Sequence, residues 1–126
     1  MRILIVDDER DIRTLFEQRF RKEIKNNELD LAFAHTGEEA LNYLIDKEQH
    51  AVLILSDINM PGMSGLDLLA KIKQKFSLPP PIVMMITAYG DQENYTTAMK
   101  LGADDFLTKP LDFKQLKEKI KNINHD

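Results

Sequence analysis

The sequence predicts a doubly wound α/β fold, a three-layer sandwich with helices on both faces of one five-stranded parallel sheet. Three observations predict it. Five short apolar runs alternate with five stretches of helical period. Runs such as Ile3-Leu4-Ile5-Val6 are unbroken, as strands buried on both faces require. Polar residues follow four of the five runs, namely Asp7-Asp8, Asp57, Thr87 and Lys109, and ligands bind at the carboxyl edge of an open parallel sheet.

Taken in order, residues 2–6 form the first predicted strand. From Asp8 to about Lys25 the period is helical, with Ile12, Leu15, Phe16, Phe20 and Ile24 on one stripe. Residues 29–34 alternate as a second strand. Thr36 and Glu39 have capping-box spacing ahead of Ala40, Leu41, Leu44 and Ile45. Residues 51–56 read as the most buried strand. Ser64 opens a third helix, with Leu69, Ile72 and Phe76 inward, and Pro79-Pro80-Pro81 ends that unit. Residues 82–86 form the fourth strand. Asp91 opens a helix bearing Tyr95, Ala98 and Met99, and Gly102 suits its left-handed stop. Residues 104–107 make a short fifth strand. Asp112 and Gln115 cap a last helix, with Phe113, Leu116, Ile120 and Ile123 on its apolar stripe.

The bulk numbers agree with one domain over residues 1–126. The chain is 43% hydrophobic, enough for a core. It has no cysteine, which removes disulfides and thiolate metal sites. A net charge of −4 argues against direct nucleic-acid binding. No run is long enough to span a membrane and no signal peptide is visible. The expectation is a soluble, cytoplasmic domain with no room for a second folded module.

The charged rim suggests a chemistry. A carboxylate such as Asp57 can attack phosphorus to give an acyl phosphate. Clustered carboxylates repel each other unless a cation intervenes. Asp7, Asp8 and Asp57 supply the hard oxygens that suit Mg²⁺. Lys109 offsets the remaining negative charge as a point charge on a long stem, and the Thr87 hydroxyl is placed to bond a phosphoryl oxygen.

These residues carry a resemblance across essentially the whole chain. The acidic pair Asp7-Asp8, the segment 57–65 (DINMPGMSG), Thr87-Ala88, the segment 102–108 (GADDFLT) and Lys109-Pro110 together resemble the receiver domains of two-component response regulators, the CheY-like domains. The resemblance implies the strand order 2-1-3-4-5. It implies Asp57 as phosphoacceptor, Asp8 as a direct Mg²⁺ ligand, Asp7 acting mainly through metal-bound water and the Asn59 backbone carbonyl as a further ligand. Lys109 and Thr87 would hold the phosphoryl oxygens, and Lys109-Pro110 permits the family's cis bond. The donor would be a phosphohistidine on a sensor histidine kinase or a histidine phosphotransfer protein.

Thr87 and Phe106 match the family's switch positions. Phe106 lacks the hydroxyl of the usual tyrosine, so a read-out needing that hydrogen bond is not expected. Asn59 and Tyr89 would tune hydrolysis, with Tyr89 shielding the site. The surface of the fourth helix, fifth strand and fifth helix would change for a downstream effector protein or a fused output domain, and a homodimer through that surface is consistent with the family. The domain is expected to accept phosphate rather than turn over a separate substrate. The segment 88–99 also resembles receivers placed ahead of cyclases and phosphatases, so an alternative is a module from a longer regulator.

Plainer readings stand beside these. Asp7-Asp8 alone would more often start a helix, and Lys109 alone would be a solvated lysine. Thr87 would be a β-branched strand end, Phe106 core, and Tyr89 a loop aromatic. Met84 and Met85 suit packing. None of His35, His50 and His125 reads as a ligand or phosphodonor. A haloacid-dehalogenase-like phosphatase would need a carboxylate two residues after its nucleophile, where this chain has Asn59. A flavin- or nucleotide-binding module would need an anion loop after the first strand, where Asp7-Asp8-Glu9 would repel phosphate.

Overall fold

Largely apolar runs form five strands: β1 (Arg2–Val6), β2 (Asp30–Ala34), β3 (Leu53–Asp57), β4 (Ile82–Ala88) and β5 (Asp105–Lys109). The helices are α1 (Ile12–Arg19), α2 (Arg21–Lys25), α3 (Gly37–Asp46), α4 (Gly65–Lys75), α5 (Gln92–Lys100) and α6 (Phe113–Ile123). The computed structural model describes residues 1–46, 53–76, 81–88 and 90–123. All strand pairs are parallel, in the order β2-β1-β3-β4-β5 that the resemblance implies.

The pleat divides the strand side chains between two cores. Leu4, Val6, Ile54, Val83 and Met85 meet Leu44 of α3, Leu68, Leu69 and Ile72 of α4 and Ala98 of α5. On the other face Ile3, Ile5, Leu53, Leu55 and Leu107 meet Phe16, Phe20 and, from α6, Leu116 and Ile120. Each fully buried aliphatic side chain contributes roughly 1.5–3 kcal/mol by leaving water. That burial holds the sheet, and the register then fixes its carboxyl edge. Val6 pairs with both Ala34 and Ser56, Asp57 with Ile86, Thr87 with Thr108 and Ala88 with Lys109.

Several local expectations change. The first helix begins at Ile12 rather than Asp8, because Asp7 Oδ1 accepts the Glu9 amide at 2.9 Å and turns the chain first. It is interrupted at Phe20, although the bonds Phe20 N–H to Phe16 O and Ile24 N–H to Phe20 O run through the break at 2.9 Å each. Leu15 and Ile45 are exposed despite lying on apolar stripes, and Tyr95 and Met99 of α5 are exposed as well. β3 reaches Asp57, β4 reaches Ala88, and β5 reaches Lys109. Residues 51–52 of the expected third strand, Pro79 and Pro80, and also His50 and His125, lie outside the described residues.

Candidate functional site

The ends of β1, β3, β4 and β5 build the rim. Past Val6 the Asp7 amide donates to Ala34 O at 3.0 Å, extending the β1–β2 ladder by one bond. Asp7 is almost wholly buried, whereas Asp8, beyond the sheet, is exposed. Burial pushes the Asp7 carboxyl above the usual carboxylate range. The Asp57 charge adds to that rise, and the Glu9 amide and Lys109 oppose it.

Asp57 ends β3, 4% exposed. Its backbone is held on both sides. The Ser56 hydroxyl donates to Asp57 O at 3.0 Å, and the Ile58 amide to Ile86 O at 3.0 Å. The Gly65 amide donates to Ile58 O at 2.8 Å. A Cβ on Gly65 would collide with the Asp57 carbonyl oxygen and the Ile58 Cα, so this close approach requires glycine.

Lys109 Nζ lies 3.0 Å from Asp57 Oδ2. Burial alone would lower the Lys109 pKa. The hydrogen bond to Asp57, with the charges of Asp57, Asp7 and Glu9, outweighs burial and raises it, so the ammonium is retained at neutral pH. The Lys109-Pro110 bond is cis.

Asp7, Asp8 and Asp57 each offer a carboxylate oxygen, and these oxygens lie within 4.8 Å of one another. Three carboxylates facing one ammonium leave two negative charges uncompensated, and a divalent cation with oxygen preference fits that donor set. Thr87 is completely buried, and its Oγ1 has no hydrogen-bond partner among the described residues. A buried hydroxyl without a partner at a ligand edge is a donor suited to an arriving anion.

The other expected residues sit around this centre. Asn59 is exposed in the loop after Asp57. Phe106 pairs with Met85 in the sheet, is half-buried, and meets Tyr95 edge-on with centroids 4.9 Å apart. Tyr89 lies outside the described residues. Sequence reasoning missed His35, whose ring nitrogen Nδ1 lies 3.0 Å from the Asp7 carbonyl oxygen. No local signal marked it, because the contact forms only once β1 and β2 pair.

A parallel sheet of this order, with an acidic cluster and a lysine converging at its carboxyl edge, defines a CheY-like signalling domain. Comparison with known proteins makes the assignment specific. The family described as response regulator receiver domain matches residues 3–121, and the chain belongs to that family, the receivers of two-component systems. The transcriptional regulatory protein CpxR of Escherichia coli K12 is 35% identical over 122 residues, 97% of this chain and 48% of that protein. A probable transcriptional regulator, ycf27 of Porphyridium aerugineum, is 33% identical over 97% of this chain and 47% of its own length. The chain thus spans about half the length of the curated relatives it matches. Among solved structures, a CheY-like receiver domain protein from Methanospirillum hungatei superposes with a TM-score of 0.81 at 33% identity, covering 98% of this chain and 93% of that one. A probable response regulator/GGDEF domain protein gives 0.85 at 25% identity, covering 98% of this chain and 49% of that one.

Proposed function

We propose that this receiver domain accepts a phosphoryl group on Asp57 from a phosphohistidine, carried by a sensor histidine kinase or a histidine phosphotransfer protein. One observation carries the reading: Asp57 converges with Asp7, Asp8 and Lys109, while the Thr87 hydroxyl is buried without a partner among the described residues. An Asp57 carboxylate oxygen would form the new P–O bond as the donor's P–N bond breaks, and the donor imidazole leaves with that electron pair. Lys109, already 3.0 Å from Asp57 Oδ2, would shift its contact to the phosphoryl oxygens, and the Thr87 hydroxyl would donate to another. Asp7, Asp8, Asp57 and the Asn59 backbone carbonyl would hold Mg²⁺. When bound, the ion supplies charge neutralisation at the transferring group.

The phosphoryl group adds roughly two negative charges and several acceptor oxygens. Thr87 would move toward it, and Phe106 would turn inward from its contact with Tyr95, reshaping the surface of α5, β5 and α6 for an effector or a second copy of the domain. The protein would act as a switch, assisting its own phosphorylation and dephosphorylation without turning over a separate substrate. Its setting would be the cytoplasm, where such kinases present their phosphohistidine. Among the described residues no helix is long and apolar enough to cross a membrane.

The half-length match favours a second, compatible reading. The receiver would control a fused output domain; relatives of about twice its length are named as transcriptional regulators, and a structural neighbour as a response regulator/GGDEF domain protein.

Incubation with a small acyl-phosphate donor and Mg²⁺, followed by intact mass, tests the central reading. The expected result is a gain of one phosphoryl group that requires metal and disappears in Asp57→Asn. No gain at high donor concentration, or an equal gain in Asp57→Asn, would refute it. Turnover of a phosphate monoester would instead restore the phosphatase reading.

A further inference from the structure

We infer that His35 is a positioning residue for the acidic pocket, linking the N-terminal cap of α3 to the Asp7-Asp8 peptide. The inference rests on the proposed metal-dependent role of Asp7 and Asp8.

The bonds form a continuous path. The Glu39 amide donates to Thr36 Oγ1 at 3.0 Å. The Glu39 carboxylate reaches back and accepts the His35 amide at 3.0 Å, one residue before the position that a capping box usually satisfies. The His35 backbone is thereby fixed at the mouth of α3. Its ring then crosses to β1, with Nδ1 3.0 Å from Asp7 O.

A carbonyl oxygen only accepts, so Nδ1 carries the proton. The bond falls where the sheet stops. Val6 and Ala34 are the last paired residues of β1 and β2, and the Asp7 amide makes the final backbone bond to Ala34 O. The Asp7 carbonyl lies past that ladder, and His35 takes over as its donor.

The carbonyl matters because it is half of the Asp7–Asp8 peptide plane. A planar peptide transmits its orientation to the next Cα. Holding the Asp7 carbonyl therefore sets the direction in which Asp8 leaves the sheet. Asp8 is the exposed member of the carboxylate cluster and has no sheet packing of its own. Asp7 does not depend on His35 in the same way. Its amide is bonded to Ala34 O and its carboxylate to the Glu9 amide. The positioning effect should fall on Asp8.

Asparagine separates positioning from packing, because its side-chain N–H₂ can occupy the place of imidazole Nδ1. Glutamine reaches one bond further and should not. The test uses the metal-free protein first. The Asp8 amide nitrogen shares the peptide with the hydrogen-bonded carbonyl, so its ¹⁵N resonance reports that bond. His35→Ala is expected to move the Asp8 ¹⁵N resonance upfield and to weaken Mg²⁺ binding roughly three- to tenfold, the range below or at the low end of effects seen for groups that orient metal ligands. His35→Asn should restore both, and His35→Gln neither.

Unchanged Asp8 shift and Mg²⁺ affinity in His35→Ala, with normal wild-type binding, would overturn this inference alone. So would a loss in His35→Ala that His35→Asn fails to restore while its unfolding midpoint matches wild type. Wild-type protein that binds no Mg²⁺ would overturn the metal reading, and this inference with it.

Discussion

A hydroxyl buried without a partner costs about 1–3 kcal/mol, and among the described residues Thr87 Oγ1 is in that position. Thr87→Val replaces it with a methyl group of similar shape. In most cores the change would break a hydrogen bond, but here none is lost. The expected outcome for the unphosphorylated protein is a urea midpoint that is unchanged or higher, by up to roughly 1–2 kcal/mol, together with slower phosphoryl uptake by intact mass. A destabilised variant with normal uptake would mean that the hydroxyl serves the fold instead of the ligand. At this scale the sequence was informative where a charge interrupts an apolar run. Asp7, Asp57 and Lys109 stand out for that reason. Thr87 was harder to see, because a β-branched residue at a strand end needs no special explanation. His35 was not legible, since its partner Asp7 is 28 residues away and meets it only once β1 and β2 pair.

Elements were legible at their ends more than on their faces. Ser64 caps α4 by accepting the Asp67 amide, Asp91 caps α5 by accepting the Asn94 amide, and Asp112 accepts the amides of Lys114 and Gln115. Caps are local, so spacing reveals them. Burial is not local: α5 carries Tyr95, Ala98 and Met99 at helical spacing but buries only Ala98, leaving Met99 exposed and Tyr95 against Phe106. The irregular α1–α2 segment is tied to α6 by an ion pair, Lys117 to Glu23 at 3.0 Å. Burial would raise the Glu23 pKa, but the Lys117 hydrogen bond and charge, with Lys22, outweigh it and lower the carboxyl. A lowered carboxylate pKa stabilises the fold above the unfolded value and loses that contribution as pH falls through the folded value. Glu23→Gln should therefore lower stability at neutral pH by roughly 0.2–1 kcal/mol, the scale of a partly exposed pair. It should also reduce the loss of stability as pH falls through and below the ordinary glutamate range. Denaturant midpoints across that range check it, and an unchanged slope would show that the pair contributes nothing.

For the whole molecule, folding itself assembles the negative cluster. Asp7 follows β1, Asp57 and Lys109 end β3 and β5, and the Lys109–Asp57 contact closes 52 residues of chain. In the unfolded chain these groups are dispersed, so a cation recognising the cluster binds the native state selectively. The two cores hold the sheet rigidly enough to keep three carboxylates facing one ammonium. A ligand selective for the native state stabilises it by RT ln(1 + [L]/Kd), about 1.4 kcal/mol at ten times Kd. For a domain of this size that corresponds to a Tm rise of roughly 4–8 °C. Monovalent salt at equal ionic strength would only screen the repulsion and should give a smaller rise. Asp57→Asn removes one of the three repelling charges, so it should unfold at a higher temperature than wild type without metal and gain less from Mg²⁺. Lys109, 38% exposed at its side chain, can rehydrate when its partner is neutralised, so losing the ion pair should not reverse that gain. Thermal scans with chelator, Mg²⁺ and matched monovalent salt, for both proteins, distinguish the effects. Equal rises with Mg²⁺ and monovalent salt, or an equal Mg²⁺ response in Asp57→Asn, would locate the ion's effect away from this cluster.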